Sequence, residues 1–133
     1  MINLQEIELL EKKIFSQPFS LKQLEEMYRN ENYKFYVLKE NDKIVAYLIL
    51  HNCYDVHEII KIAVDEKKRK NGLGEKLIKW AFNEITTPLF LEVRKNNIAA
   101  QNLYKKIGFE IVGERKGYYQ DTGENAILMT LNK

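Results

Sequence analysis

The sequence predicts one α/β domain over residues 1–133, a mixed sheet with helices on both faces. Three observations lead there. Apolar residues recur at helical spacing in several stretches, and branched and aromatic residues gather in strand-length runs. These elements follow one another as ααβββαβαββ. One strand also passes straight into a helix through a basic turn punctuated by Gly72 and Gly74.

Leu4 to about Phe15 carries Ile7, Leu10 and Ile14 three and four residues apart, the stripe of an amphipathic helix. Ser16-Gln17-Pro18-Phe19 breaks it. Ser20 then opens a second helix as N-cap, with Gln23 completing a capping box and Leu21, Leu24 and Tyr28 facing inward. Lys34 to Glu40 and Ile44 to Leu50 form an antiparallel hairpin through Asn41-Asp42, and Val56 to Val64 is a third strand. The helix from Gly72 to Ile85 puts Leu73, Leu77, Ala81 and Ile85 on one stripe, which Trp80 widens as a core residue. Leu89 to Val93 is a short strand. A helix from about Asn97 to Ile107 ends at Gly108 as its C-terminal cap. Phe109 to Tyr119 and Asn125 to Leu131 form a last hairpin around Asp121-Thr122-Gly123.

Composition excludes several classes. The net charge of +2, from 21 basic and 19 acidic residues, gives no extended nucleic-acid footprint. Cys53 is the only cysteine, so it cannot form an intramolecular disulfide or a zinc set of cysteines, and it reads as a small core residue. His51 and His57 read as strand residues, and no metal is expected. No apolar run reaches the ~20 residues that span a bilayer, and the N-terminus lacks a signal-peptide pattern. A cytoplasmic protein without a membrane partner is expected.

The glycine-punctuated turn carries a specific chemistry. A helix N-terminus holds unsatisfied N–H groups and partial positive charge, so it receives phosphate. Gly72 and Gly74 remove side chains where oxygens would approach the backbone, while Arg69 and Lys70 add positive charge. A nucleotide-triphosphate loop would follow its last glycine with Lys and Ser/Thr, whereas Gly74 precedes Glu75-Lys76. The dinucleotide fingerprint would need a third glycine. What stands here is Arg-x-x-Gly-x-Gly after Ile62-Ala63-Val64-Asp65.

Two further residues stand out. Glu92 lies in an otherwise apolar strand and shares a face with Phe90 and Arg94. It either pairs with Arg94 or another cation, which periodicity alone favours, or serves as a base at a cleft. Tyr104 sits on the following helix, where a tyrosine is more often core than catalyst.

The Arg69–Gly72–Gly74 turn after its strand resembles the acetyl-CoA motif of the GNAT acyltransferase superfamily. Leu91-Glu92-Val93-Arg94, Asn97, Ala100, Leu103-Tyr104 and Gly108-Phe109 resemble the signature of RimI-type enzymes, the ribosomal-protein-alanine N-acetyltransferases. Val112-Gly113, Arg115-Lys116, Tyr118-Tyr119 and Glu124-Asn125-Ala126 continue it, and Pro18-Phe19-Ser20 resembles the family's segment near the second helix. Asn125 departs from the pattern, since many relatives carry Asp there. The resemblance implies a GNAT fold with a mixed, mostly antiparallel central sheet, and acetyl-CoA as cosubstrate. It implies Glu92 as proton acceptor and Tyr104 as proton donor. It also implies that Ile62, Ala63 and Val64 pair with the pantetheine arm. Arg69, Lys70, Asn71, Gly72, Leu73, Gly74 and Glu75 would enclose the pyrophosphate, and Asn97 and Asn102 would bind the cofactor. The implied acceptor is a protein N-terminus, the alanine of a small-subunit ribosomal protein. An intrinsic tyrosine near ~10 would protonate the leaving thiolate, near about 8.5, only uphill, so a site that lowers Tyr104 is expected unless CoA leaves promptly.

Alternatives remain: a GNAT enzyme for a small amine, an antibiotic or a lysine side chain, and a non-catalytic acyl-CoA-binding module. Nucleic-acid binding through Lys67 to Lys70 would show itself as strong salt dependence.

Overall fold

The elements follow in the expected order in a computed structural model that describes residues 2–133: α1 (Leu4–Ile14), α2 (Leu21–Arg29), β1 (Tyr33–Glu40), β2 (Lys43–Asn52), β3 (His57–Val64), α3 (Leu73–Glu84), β4 (Leu89–Arg94), α4 (Ile98–Ile107), β5 (Glu110–Tyr119) and β6 (Glu124–Leu131). A short 3-10 segment, Glu66–Lys68, lies between β3 and α3. The caps are those the sequence supplies. The Asn3 side chain accepts from the N–H groups of Gln5 and Glu6, Ser20 and Gln23 close a reciprocal capping box, and Asn97 accepts from Ala100 N–H to start α4. No helix among the described residues is long and apolar enough to cross a membrane.

The strands form one six-stranded sheet in the order β1-β2-β3-β4-β6-β5. Among the described residues only β3 and β4 run parallel, joined by the α3 crossover that parallel neighbours require. Every other neighbouring pair is antiparallel. β2 is buried on both faces, so it reads as an unbroken apolar run from Ile44 to Leu50. Leu48 and Leu50 pack with Leu77, Ile78 and Ala81 of α3 and with Tyr104 of α4, while Tyr47 and Ile49 pack with Ile7, Leu10 and Leu24 of α1 and α2.

Some side chains differ from expectation. Tyr28 is 40% exposed and meets Phe35 edge-on, because the inward stripe of short α2 runs through Leu24 and Met27. Trp80 is 41% exposed, because Ile78 takes the core position beside Leu77. Its ring stands edge-on to Tyr36, and the Trp80 indole N–H and Tyr36 hydroxyl both donate to Glu84, closing the rim of the α3–β1 interface. Cys53 is no core residue. It lies half-buried in the β2–β3 turn, beyond the last buried position of β2.

A buried ion pair fixes α1 and the loop after it. Glu11 falls one helical turn after Ile7 and is wholly buried. Its carboxylate accepts from the Tyr47 hydroxyl, from Lys61 Nζ at 3.1 Å and from Phe19 N–H at 2.8 Å. The Phe15 and Phe19 rings flank the same ammonium at 3.9 and 4.4 Å. Burial and the Glu11 carboxylate push the Tyr47 hydroxyl far above its ordinary range. Glu11→Ala would strand the ammonium and the hydroxyl, so it is expected to cost about 3–5 kcal/mol. Leu9→Ala, at a position 66% exposed, is expected to stay within ~0.5 kcal/mol. Urea unfolding midpoints of the two variants check the contrast.

Candidate functional site

β3 and β4 share only two register pairs, His57 with Leu89 and Glu58 with Phe90. Beyond these the strands part. The register of β3 against β2 jumps from Lys61 to Ile59, so Ile60 is the extra residue of a β-bulge. A bulge bends its strand and ends local pairing, and this one follows directly on the last β3–β4 pair. The remaining edge of β3, through Ile62, Ala63 and Val64, has no β4 partner.

A cavity of about 550 Å³ opens along that edge and reaches the glycine-punctuated turn. Ile62, Ala63, Val64, Arg69, Lys70, Gly72, Leu73, Gly74, Glu75 and Asn97 all line it. Gly72 stands at φ +74 as N-cap of α3 and offers no side chain to the first-turn N–H groups, which are left for a ligand. Lys70 takes a left-handed conformation too, at φ +68. A Cβ on Gly74 would meet Leu103 and Ile62 at ordinary contact distances, so protein packing does not require a glycine there. Arg69 Nε donates to Val64 carbonyl oxygen, and Asn71 donates to Lys68 carbonyl oxygen. Asn71 and Asn102 are exposed and line neither this cavity nor the next.

A second cavity, about 450 Å³, lies where β3 and β4 part, and Glu92 lines it. Phe15, Ser16 and Gln17 of the α1–α2 loop form one side, so the Glu11 ion pair sets the position of that wall. Ile62, Asn97, Ala100 and Tyr104 line both cavities, which makes them a common wall.

Glu92 does not pair with Arg94. The Arg94 guanidinium forks onto Asp121 at 3.0 and 3.1 Å, reaches Glu124 at 3.3 Å and lies over the Tyr119 ring. This pairing holds Asp121 below the usual carboxylate range. The cations and donors around Glu92 come from β5 instead: Tyr118 hydroxyl at 3.4 Å and Arg115 Nε at 3.2 Å. Arg115 sits in ion-pair range of Oε2 but off its hydrogen-bonding line, so that buried oxygen accepts no hydrogen bond from it. Glu58 of β3 supplies the neighbour that completes the group. Its carboxyl meets Glu92, and burial first and the Glu92 charge second push it upward. The surroundings of Glu58 therefore favour its protonated form.

Tyr104 is 8% exposed and stands beside Phe109. Burial, with a smaller contribution from Tyr119, pushes its hydroxyl up to about 12, which reverses the expectation of a lowered value. Gln101 fixes the helix that carries it. The buried amide donates to the carbonyl oxygens of Arg94 and Lys95 at 3.1 and 2.8 Å, tying α4 to the end of β4. Glu58 and Gln101 were not singled out from sequence, and Arg115 and Tyr118 stood only in the family signature, with no role assigned. For Glu58 the signal existed, a carboxylate in an apolar strand, as with Glu92. Arg115 and Tyr118 reach Glu92 from β5 across the intervening β6, a juxtaposition of strands that local sequence does not reveal.

Comparison with known proteins agrees with this fold. The acetyltransferase (GNAT) family matches residues 4–109. The ribosomal protein bS18-alanine N-acetyltransferase of Haemophilus ducreyi is 34% identical over 111 residues, 77% of each chain. The crystal structure of the ribosomal-protein-S18-alanine N-acetyltransferase from Escherichia coli superposes with a TM-score of 0.88 at 32% identity, covering 97% of this chain and 86% of that one. A GNAT family acetyltransferase from Elizabethkingia anophelis, with acetyl-CoA bound, superposes with a TM-score of 0.72 at 25% identity, covering 86% and 84%.

The raised Glu58 carboxyl has a consequence for stability. A carboxyl whose folded value lies above its unfolded one destabilises the fold above both values, and that penalty fades as pH falls through the folded value. Glu58→Gln is therefore expected to raise the urea midpoint relative to the unaltered protein near pH 8, with the advantage shrinking toward pH 4. Paired denaturation curves across that range provide the check.

Proposed function

The chain belongs to the acetyltransferase (GNAT) family and is an acetyl-CoA-dependent N-acetyltransferase, and from that premise we propose that its acceptor is a protein N-terminus, the N-terminal alanine of ribosomal protein bS18. The relatives of H. ducreyi and E. coli, which carry that activity in their names, support the acceptor. The observation that carries the reading is the wall common to the two cavities. Ile62, Asn97, Ala100 and Tyr104 border both the glycine-turn cavity and the Glu92 cavity. A thioester lying along the first and an amine entering the second would meet at that wall.

The roles follow from what each group can do. The free first-turn N–H groups of α3, with Arg69 and Lys70, would receive a pyrophosphate. The unpaired edge of β3 at Ile62 to Val64 offers backbone groups to the amides of a pantetheine arm, as one strand does to another. Asn71, its amide donating to Lys68 carbonyl oxygen, shapes the turn. Asn97 keeps an amide N–H₂ beyond its capping oxygen for the cosubstrate. The role of Asn102, on the exposed side of α4, rests on the family resemblance alone. Glu92 accepts the proton of an α-ammonium whose reference value lies near ~7.7–8.0, releasing the amine for direct attack on the thioester. Tyr104 donates a hydrogen bond to the sulfur as charge develops on it. No enzyme nucleophile is required.

Mass spectrometry after incubation with acetyl-CoA and a peptide panel tests the acceptor. Free N-terminal Ala and Ser peptides are expected to gain one acetyl group. An N-terminally blocked peptide with an internal lysine, and spermidine, are expected to stay unmodified; transfer to these alone would sink the acceptor assignment. Glu92→Gln is expected to lower kcat by roughly a hundredfold or more, and Tyr104→Phe by roughly tenfold or more, with acetyl-CoA affinity held within about threefold. A loss of acetyl-CoA binding that parallels the loss of kcat would remove both residues from the chemical step.

A further inference from the structure

The face of the sheet that carries Glu92 bears a second cluster, one strand further out. His51 near the end of β2, Cys53 in the turn that follows and Glu58 on β3 bring an imidazole nitrogen, a thiol sulfur and a carboxylate oxygen within 4.8 Å of one another. We propose that these three side chains form a binding site for a thiophilic divalent cation of the Zn²⁺ class.

The arrangement follows from register. His51 and Glu58 are direct cross-strand partners, so both point to one face. Cys53 lies two residues beyond His51, which returns its side chain to the same side. The turn holds it there: Cys53 N–H donates to Val56 carbonyl oxygen, Asp55 N–H donates to Cys53 carbonyl oxygen, and Tyr54 sits at φ +70. Stacking of Tyr33 on His51, centroids 4.4 Å apart and nearly parallel, fixes the imidazole plane. Cys53 Sγ and His51 Nδ1 stand 3.5 Å apart. Zinc bonds of about 2.3 Å to sulfur and about 2.0–2.1 Å to nitrogen, at a tetrahedral angle, put these atoms about 3.5 Å apart. The ligand edge is therefore set before any ion arrives.

The chemistry of the set selects the ion. Thiolate and imidazole exclude Mg²⁺ and Ca²⁺, which take oxygen ligands, and favour Zn²⁺. The Glu58 carboxylate oxygen, within the same 4.8 Å span, supplies the third ligand. His57, held by Thr87 at 2.7 Å, stays outside the set. Three protein ligands leave a fourth position for water. Glu58 also meets Glu92, so occupancy would alter the charge beside the proposed base.

Titration of the untagged full chain with Co²⁺ is the test, read by absorption. One equivalent is expected to produce a thiolate-to-cobalt charge-transfer band together with tetrahedral ligand-field bands, and Zn²⁺ is expected to abolish both. Cys53→Ser is expected to remove the charge-transfer band. His51→Ala is expected to weaken Co²⁺ binding at least about tenfold, with acetyl-CoA affinity confirming that each variant is folded. No charge-transfer band in the unaltered protein, or one that survives Cys53→Ser, would overturn the site.

Discussion

Everything in the site depends on two parallel neighbours, β3 and β4, that pair only at their beginnings. A parallel pair needs a crossover, so α3 must leave the carboxyl end of β3 and return its chain to the start of β4. α4 in turn leaves the carboxyl end of β4. Two helix N-termini therefore arise at the same edge of the sheet, on the side where open α/β sheets hold their ligands. The Ile60 bulge, set against the last pair, then opens the gap between the strands. Backbone groups in such a gap lack ladder partners, and unpartnered backbone is costly once water is displaced. The slot thus favours a guest that brings amides of its own, and the basic turn at its mouth favours one that ends in phosphate.

The other face explains why a carboxylate is within reach of that slot. The apolar contacts of α1 and α2 cover β1, β2 and part of β3, while the row His51, Glu58 and Glu92 runs outward across three strands. What approaches Glu92 is polar: Arg115 and Tyr118 from β5 and the α1–α2 loop from the front. The loop itself is held by the Glu11, Lys61 and Tyr47 group, which trades desolvation for fixed geometry. Two charged groups with different tasks occupy one face. The buried one sets the cavity wall, and the half-buried one faces the cavity.

Much of this was legible in the sequence because the signals were local. The element order, the Ser20 capping box, the αL glycine at the head of α3 and the Gly108 stop are decided by neighbours within a few residues. The basic turn and its cavity follow from one continuous segment. What escaped depends on distance in sequence. Alternation offered Glu92 a pair with Arg94 or another cation, and the cation is Arg115 of β5, since Arg94 is drawn to Asp121 and Glu124. Trp80 and Tyr28 looked like core because hydrophobic spacing does not reveal where a stripe ends. Cys53 looked like core because the edge of β2 cannot be read from composition, and Glu58 was passed over because its partner lies on another strand.

Tyr104 shows how burial limits what a residue can do in a reaction. A hydroxyl held near about 12 lies roughly 3.5 units above a thiol of ~8.5. Complete proton transfer to a free thiolate would therefore cost on the order of 5 kcal/mol. The same burial that makes Tyr104 a poor acid keeps its proton in place at neutral pH. A neutral hydroxyl in a dry wall is a strong hydrogen-bond donor to an anion forming beside it, and such donation needs no matched acidity. The favourable arrangement is thus a tyrosine that steadies the departing sulfur without giving up its proton. In the proposed mechanism the thiolate would then be protonated in water, after it has left the site.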